Sequence, residues 1–132
     1  MTYLDDYPPV GYEPIDRDHA EIALAWRNLL AAIRADDLQL SQQLSDALVQ
    51  RIIAHFMHEK RLMEEIAFPF IERHRDAHLS FLSGARQAMD EMRVHGLTSE
   101  TLRWASETIG WFRRHVLLED MALARMLLER RQ

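Results

Sequence analysis

The sequence predicts an all-α protein, an antiparallel up-down bundle of four helices with an ordered N-terminal arm. Apolar residues recur every three or four positions through four long segments, which is the period of an amphipathic helix. Only four glycines and four prolines occur, so few positions favour a break. Helices of roughly 20–30 residues that are joined by short turns close most easily as an up-down bundle.

The first half of the chain contains the arm and two predicted helices. Residues 1–15 carry prolines and aromatic side chains and form the predicted arm, which lies over the bundle. The first helix is expected over residues 16–35, because its apolar side chains repeat at helical spacing. The second helix is expected over residues 41–66, with the Ser41 hydroxyl as its N-cap.

The second half contains two further predicted helices. Pro69 opens the third, which is expected over residues 70–94 and ends before Gly96. The fourth is expected over residues 99–129, after a start at Thr98. No repeat or linker divides the chain, so residues 1–132 form one predicted domain.

Composition narrows the classes of function. No stretch approaches the roughly 20 apolar residues of a membrane span, and the acidic start lacks the regions of a secretory signal, so a cytoplasmic protein is expected. The formal net charge of −5 argues against a nucleic-acid partner. Cysteine is absent, so nitrogen and oxygen atoms must hold any bound metal.

Polar side chains within the apolar stripes of the second and third helices carry the chemical information. His55 and Glu59 are four residues apart, and so are His74 and His78, so each pair shares one helix face. One such pair alone is weak evidence, because a solvated surface pair is the commoner case. Two pairs on the apolar faces of adjacent helices indicate a metal site, because coordination removes the cost of burying polar groups without partners.

The first and fourth helices add further candidates to this cluster. His19 and His115 each lie in the same apolar context as the two pairs. A carboxylate follows His115 after four residues at Glu119 and after five at Asp120. Periodicity alone favours Glu119, because five residues turn an ideal helix by about 140°.

Four motifs occur in order along the chain. They are IDRDH at residues 15–19, HFMHEKRLMEE at 55–65, FPFIERHRDAHLSF at 68–81 and WFRRHVLLED at 111–120. In the order, spacing and flanking aromatic residues of these motifs, the chain resembles the single-domain bacterial hemerythrins from about residue 10 to residue 120. The resemblance implies a di-metal site in the bundle core.

That resemblance also assigns roles to the candidate ligands. It implies two iron ions joined by an oxo or hydroxo bridge, with dioxygen bound at an open position of one iron. The implied ligands are His74, His78 and His115 for one iron, His19 and His55 for the other, and Glu59 and Asp120 as bridges between them. Because Asp120 then needs a wider turn than an α-helix provides, we expect a π-bulge near Leu117 and Leu118.

Residues outside the ligand set are expected to form the walls of the site. The residues predicted to line a dry pocket at the open iron are Phe56, Met63, Trp111, Ile22 and Leu118. The alternative is that they are bundle core alone. His58 is expected to face solvent, and His95 to lie near a helix C-terminus away from the site.

The resemblance and the ligand types together predict a function. The expected activity is reversible dioxygen binding for storage, delivery or buffering, without catalysis. Imidazoles dominate this ligand set, whereas di-iron enzymes of the ferritin-like kind use mostly carboxylates, which favours binding over substrate oxidation. The alternatives are a sensor of oxygen, redox state or nitric oxide, and an enzyme that acts on peroxide or nitric oxide.

Overall fold

Residues 9–130 are described by a computed structural model, and the all-α prediction is confirmed. The helices are α1 Glu13–Arg34, α2 Leu38–Glu65, α3 Ile71–His95, α4 Ser99–His115, a π-helical turn Val116–Asp120 and α5 Met121–Arg130. The backbone stays helical through both junctions of the π turn, so α4, the turn and α5 form one rod. Four rods therefore make up the bundle.

Contacts across the helices orient neighbouring rods. Asp18 of α1 contacts His58 of α2, and Glu21 one turn later contacts Arg51, so residue numbers rise on α1 as they fall on α2. α1 and α2 are therefore antiparallel. Among the described residues, no helix combines the length and apolar character that a membrane crossing requires.

Large apolar side chains fill the space between the rods. Trp26 and Phe112 are fully buried, and their rings meet edge to face at 5.8 Å. Phe81 of α3 joins them, with its ring centroid 6.2 Å from that of Trp26. This aromatic contact ties α1, α3 and α4 together beside the polar cluster described below.

The first helix begins at Glu13, three residues before the predicted start. The prediction treated Pro14 as part of the arm, but this proline lies in the first turn of α1. A proline is favourable there, because the first N–H groups of a helix have no partner within the helix and its backbone angle is already helical.

Only the end of the predicted arm lies within the described residues, because residues 1–8 are outside them and 13–15 belong to α1. Val10 and Tyr12 are buried against the core. The Val10 N–H also donates to Asp16 Oδ1 at 2.7 Å. This short segment is therefore packed on the bundle.

The second helix begins at Leu38, so the expected N-cap at Ser41 is wrong. Asp37 is the N-cap, and its Oδ1 accepts a hydrogen bond from the Leu40 N–H at 3.0 Å. Ser41 lies inside the helix, fully buried. A carboxylate at a helix N-terminus satisfies a free donor and also interacts favourably with the helix dipole.

The third and fourth helices start and end close to the predicted positions. Gly96 ends α3 with φ of 75°, a conformation that suits glycine. The Thr98 N–H donates to Thr101 Oγ1 at 3.1 Å as part of a capping box at the start of α4.

Two alanine substitutions test the revised start of α2. Asp37→Ala should lower the free energy of unfolding by about 1 kcal/mol, because it removes the N-cap acceptor. Ser41→Ala should leave it unchanged or raise it, because the buried hydroxyl has no hydrogen-bond partner among the described residues. Urea denaturation measures both, and a larger loss for Ser41→Ala than for Asp37→Ala would contradict this assignment.

Candidate metal centre

The π-helical turn decides which carboxylate enters the core. The expected π-bulge is confirmed, because Val116–Asp120 forms a π-helix. Asp120 is fully buried and its Oδ1 lies 3.1 Å from His115 Nε2, whereas the Glu119 side chain is 27% exposed. One wide turn thus brings Asp120 to the face of His115, which an ideal α-helix would not do.

All seven predicted ligand residues meet in the bundle core, in two groups that share Asp120. Their donor atoms lie within 4.8 Å of one another in each group. One group consists of Glu59, His74, His78, His115 and Asp120, and the other of His19, His55 and Asp120. The chain thus brings five imidazoles and two carboxylates to one place from every rod of the bundle.

The two oxygens of Asp120 divide between the groups. Oδ2 lies 2.9 Å from His19 Nε2 and 3.8 Å from His55 Nε2. Oδ1 lies 3.1 Å from the Nε2 atoms of both His74 and His115. Asp120 is therefore placed where one carboxylate can bridge two metal positions.

Glu59 also contacts histidines of both groups. Its Oε1 lies 3.3 Å from His55 Nε2, 3.4 Å from His74 Nε2 and 3.3 Å from His78 Nε2. Glu59 is fully buried and comes from α2, whereas Asp120 comes from the π turn after α4. Two carboxylates thus link the same two sets of imidazoles.

Buried polar atoms without partners show that these residues fit metal ions. Both Glu59 oxygens, Asp120 Oδ1, His55 Nε2 and His74 Nε2 are buried and make no hydrogen bond within the described part of the chain. Such atoms are costly unless a cation or a proton compensates them. Nitrogen and oxygen donors of this kind suit first-row transition metals.

Without metal, the carboxylates favour protonated histidines. Burial lowers the pKa of His55, but the nearby Glu59 and Asp120 carboxylates outweigh it and raise the pKa to about 10. Burial likewise opposes a charge on His115 and His74, but the same carboxylates raise their pKa values to about 10 and about 9. Metal ions must therefore displace protons from the cluster.

The carboxylates stay ionised for the reciprocal reason. Burial would raise the pKa of Asp120, but His115 and its histidine neighbours hold it well below its usual value. Burial and Asp120 would raise the pKa of Glu59, but His55 and the other histidines lower it. His78 differs from the other shifted histidines, because burial, with the neighbouring histidines, lowers its pKa despite Glu59. Of the four cluster histidines with shifted pKa values, His78 is therefore the one that most readily stays neutral and can donate a lone pair.

Sequence reasoning missed Asp18, whose carboxylate lies behind the cluster. Its Oδ2 is 2.9 Å from His55 Nδ1 and 2.8 Å from His58 Nδ1. His58 lies outside both groups and is 29% exposed, as expected of a residue at the surface, but its side chain is also hydrogen-bonded to Asp18, which the prediction did not include. No pattern within one helix signals this contact, since it joins α1 to α2.

The aromatic walls of the cluster differ from the prediction. Phe56 stacks on His78 with ring centroids 3.6 Å apart, and Trp111 stacks on His115 at 5.0 Å. Trp111 therefore packs on the three-histidine group, whereas Phe56 also lies 5.9 Å from the ring of His55 in the other group. Phe112, which was not among the predicted pocket residues, also borders the two-histidine group. Its centroid lies 5.8 Å from that of His19.

The remaining predicted pocket residues divide into two kinds. Ile22 and Met63 are almost fully buried, as a dry pocket requires. Leu118 does not belong with them, because its side chain is 72% exposed. Two residues span about half a helical turn, so the π turn that carries Asp120 inward carries Leu118 outward.

A four-helix bundle whose core joins histidines and carboxylates in two adjoining groups defines a class of helical protein with a buried di-metal site. The chain matches the family model "Hemerythrin HHE cation binding domain" over residues 10–127, and it belongs to the hemerythrin family. It is also 25% identical over 124 residues to "Bacteriohemerythrin" of Stenotrophomonas maltophilia (strain R551-3). That alignment covers 94% of this chain and 79% of the relative. No solved structure matches the chain significantly.

Proposed function

We propose that this protein binds dioxygen reversibly at a di-iron centre and serves to store, deliver or buffer oxygen. Membership of the hemerythrin family supports an oxygen-binding, di-iron type of protein. The observation that carries the proposal is the asymmetry of the cluster, in which three histidines form one group and two form the other while both carboxylates contact both. The two-histidine side thus offers its metal one protein ligand fewer, which leaves a position for a small external ligand.

Iron suits this donor set. Imidazoles are neutral donors that accommodate ferrous as well as ferric iron, and the two carboxylates balance part of the metal charge. Bound iron would supply the reversible electron transfer that dioxygen binding requires. The chain contributes the orientation of the histidines and, through Phe112 and Ile22, an apolar boundary beside the two-histidine group.

We infer a binding role instead of a catalytic one from that boundary. Phe112 contacts the rings of His19 and His55, and Ile22 lies one helical turn after His19. Neither side chain can donate a proton, which catalysis of peroxide or nitric oxide reduction would need near the bound ligand. A dry boundary also slows the loss of a bound oxygen species to water.

Anaerobic reduction of the iron-loaded protein followed by admission of air tests the proposal. We expect a visible absorption band that appears with dioxygen and disappears when dioxygen is removed. His19→Ala should abolish the band, whereas His95→Ala is the matched control, because His95 ends α3 and lies outside both histidine groups. No band in the parent protein would contradict the proposal. Irreversible bleaching with peroxide turnover would support an enzyme in its place.

A second pair of variants tests the dry boundary. Ile22→Thr should shorten the persistence of the oxygen-dependent band several-fold, because a hydroxyl at this buried position brings water towards His55. Leu118→Thr should leave it unchanged, because that side chain is already exposed. Decay of the band in air measures both, and equal lifetimes for the two variants would be evidence against a protective role of Ile22.

A further inference from the structure

Two carboxylates that are not predicted ligands each contact the Nδ1 atom of one cluster histidine, the ring nitrogen that faces away from the cluster. Asp18 Oδ2 is 2.9 Å from His55 Nδ1. Glu119 Oε2 is 3.3 Å from His115 Nδ1, an ion-pair contact whose geometry does not make a hydrogen bond. The Asp18 and Glu119 side chains are 25% and 27% exposed, so each lies between the buried cluster and the solvent.

An ionised carboxylate can only accept a hydrogen bond, so His55 Nδ1 must carry the proton in its contact with Asp18. The negative charge of Glu119 favours a proton on His115 Nδ1 by electrostatic attraction. With Nδ1 protonated, the neutral imidazole presents its Nε2 lone pair to the other side of the ring. In His55 and His115 this nitrogen faces the cluster, 3.3 Å from Glu59 Oε1 and 3.1 Å from Asp120 Oδ1 respectively. Asp18 thus selects the tautomer and the ring orientation of His55 that metal binding needs, and the charge of Glu119 favours the same tautomer of His115.

The two contacts act on different groups of the cluster. His55 belongs to the two-histidine group and His115 to the three-histidine group. Asp18 is also held by His58, whose Nδ1 lies 2.8 Å from the same Oδ2. Asp18, His58 and His55 border a cavity of about 350 Å³ at the α1–α2 surface, so solvent reaches the outer carboxylate.

We propose that Asp18 and Glu119 are positioning residues, one for each side of the cluster, and that His58 anchors Asp18. Asp18 orients His55 and so sets how tightly the two-histidine side holds its metal. Glu119 orients His115 and does the same for the three-histidine side. This inference rests on the proposed function only in that the cluster binds two metal ions.

Three variants, each replacing a carboxylate by its neutral amide, distinguish the two sides of the cluster. Asp18→Asn and Glu119→Gln each remove one outer carboxylate. Glu21→Gln is the matched control, because Glu21 makes a comparable contact from α1 to α2, 2.9 Å from Arg51, without touching a cluster histidine. Competition with a chelator for Fe²⁺ under nitrogen measures the affinity for each of the two ions.

Each positioning variant should lower the affinity for one of the two ions by about 10–100-fold and leave the affinity for the other unchanged. Glu21→Gln should weaken neither. Proton NMR of the ferrous protein identifies the affected side, because ring N–H protons of bound histidines give strongly shifted resonances. Asp18→Asn should shift the His55 resonance and speed its exchange with solvent, and Glu119→Gln should do so for His115.

Two results would overturn the proposal. The first is that Asp18→Asn and Glu119→Gln both bind the two ions as tightly as Glu21→Gln does. The second is that either variant lowers the affinity for both ions equally. If Asp18→Asn does not fold, His58→Leu takes its place. This variant should lower the Fe²⁺ affinity of the same side by a smaller factor. An unchanged affinity would contradict the role of Asp18. The measurements need no dioxygen. A parent protein with two irons and no reversible band would therefore refute the proposed function and leave this inference intact.

Discussion

Asp120→Asn is expected to lower the free energy of unfolding of the metal-free protein by about 3–5 kcal/mol near neutral pH. Asp120 is fully buried and contacts histidines of both groups, so its loss leaves the buried positive charges with only one of their two counter-charges, Glu59. The variant should also fail to hold two metal ions, because no other carboxylate within residues 9–130 presents one oxygen to each group. Chemical denaturation and metal analysis measure the two effects.

Glu119→Gln is the control for stability in this experiment. Glu119 precedes Asp120 in the same π turn but is partly exposed, so solvent screens its interaction with His115 and its loss should cost less than about 1 kcal/mol. Equal destabilisation by the two variants would mean that the π turn does not distinguish the two carboxylates as the structure indicates.

Metal-free protein is expected to be most stable in mildly acidic solution. The pKa values of His55 and His115 are raised from 6.5 to about 10, and that of His74 to about 9. Their contribution is complete below pH 6.5 and is lost as the pH rises through 9–10. The pKa values of Glu59 and Asp120 are lowered from 4.5 and 3.8, so their contribution is present above those values and is lost at lower pH.

In this range the free energy of unfolding should fall by about 1.4 kcal/mol per pH unit for each proton that the folded state retains and the unfolded state has released. Metal binding follows the opposite trend, because metal ions replace protons on the same histidines and the apparent affinity rises with pH. Denaturation of metal-free and metal-loaded protein between about pH 5 and 9 measures both trends. A metal-free protein that becomes more stable from pH 6 to pH 9 would contradict the assigned charges.

Periodicity predicted the helices well but placed two of their starts wrongly. The repeat of apolar residues locates the interior of a helix, whereas its first residue depends on which side chain satisfies the free N–H groups. In α2 the Asp37 carboxylate accepts a hydrogen bond from one of these N–H groups, so the helix begins ahead of Ser41. At α1 the helix extends through Pro14, because a proline costs nothing in the first turn.

The site was predictable where its residues share a helix face and unpredictable where they meet across helices. His55 with Glu59 and His74 with His78 are neighbours by helical geometry alone. The packing of Phe112 beside His19 and the contact of Asp18 with His55 depend on the register between rods. No spacing within one segment encodes that register.

The sequence by itself determined the all-α fold and the conflict between Glu119 and Asp120, because these follow from residue type and helical period. It also determined the seven candidate ligands, through the resemblance of its four motifs to those of hemerythrins. Only the tertiary structure decided which carboxylate enters the core, which aromatic ring borders each histidine group and which outer carboxylates hold their rings. The π turn shows the reason. Its backbone departs from the regular period, and the buried contacts of Asp120 with histidines from three other parts of the chain favour that departure.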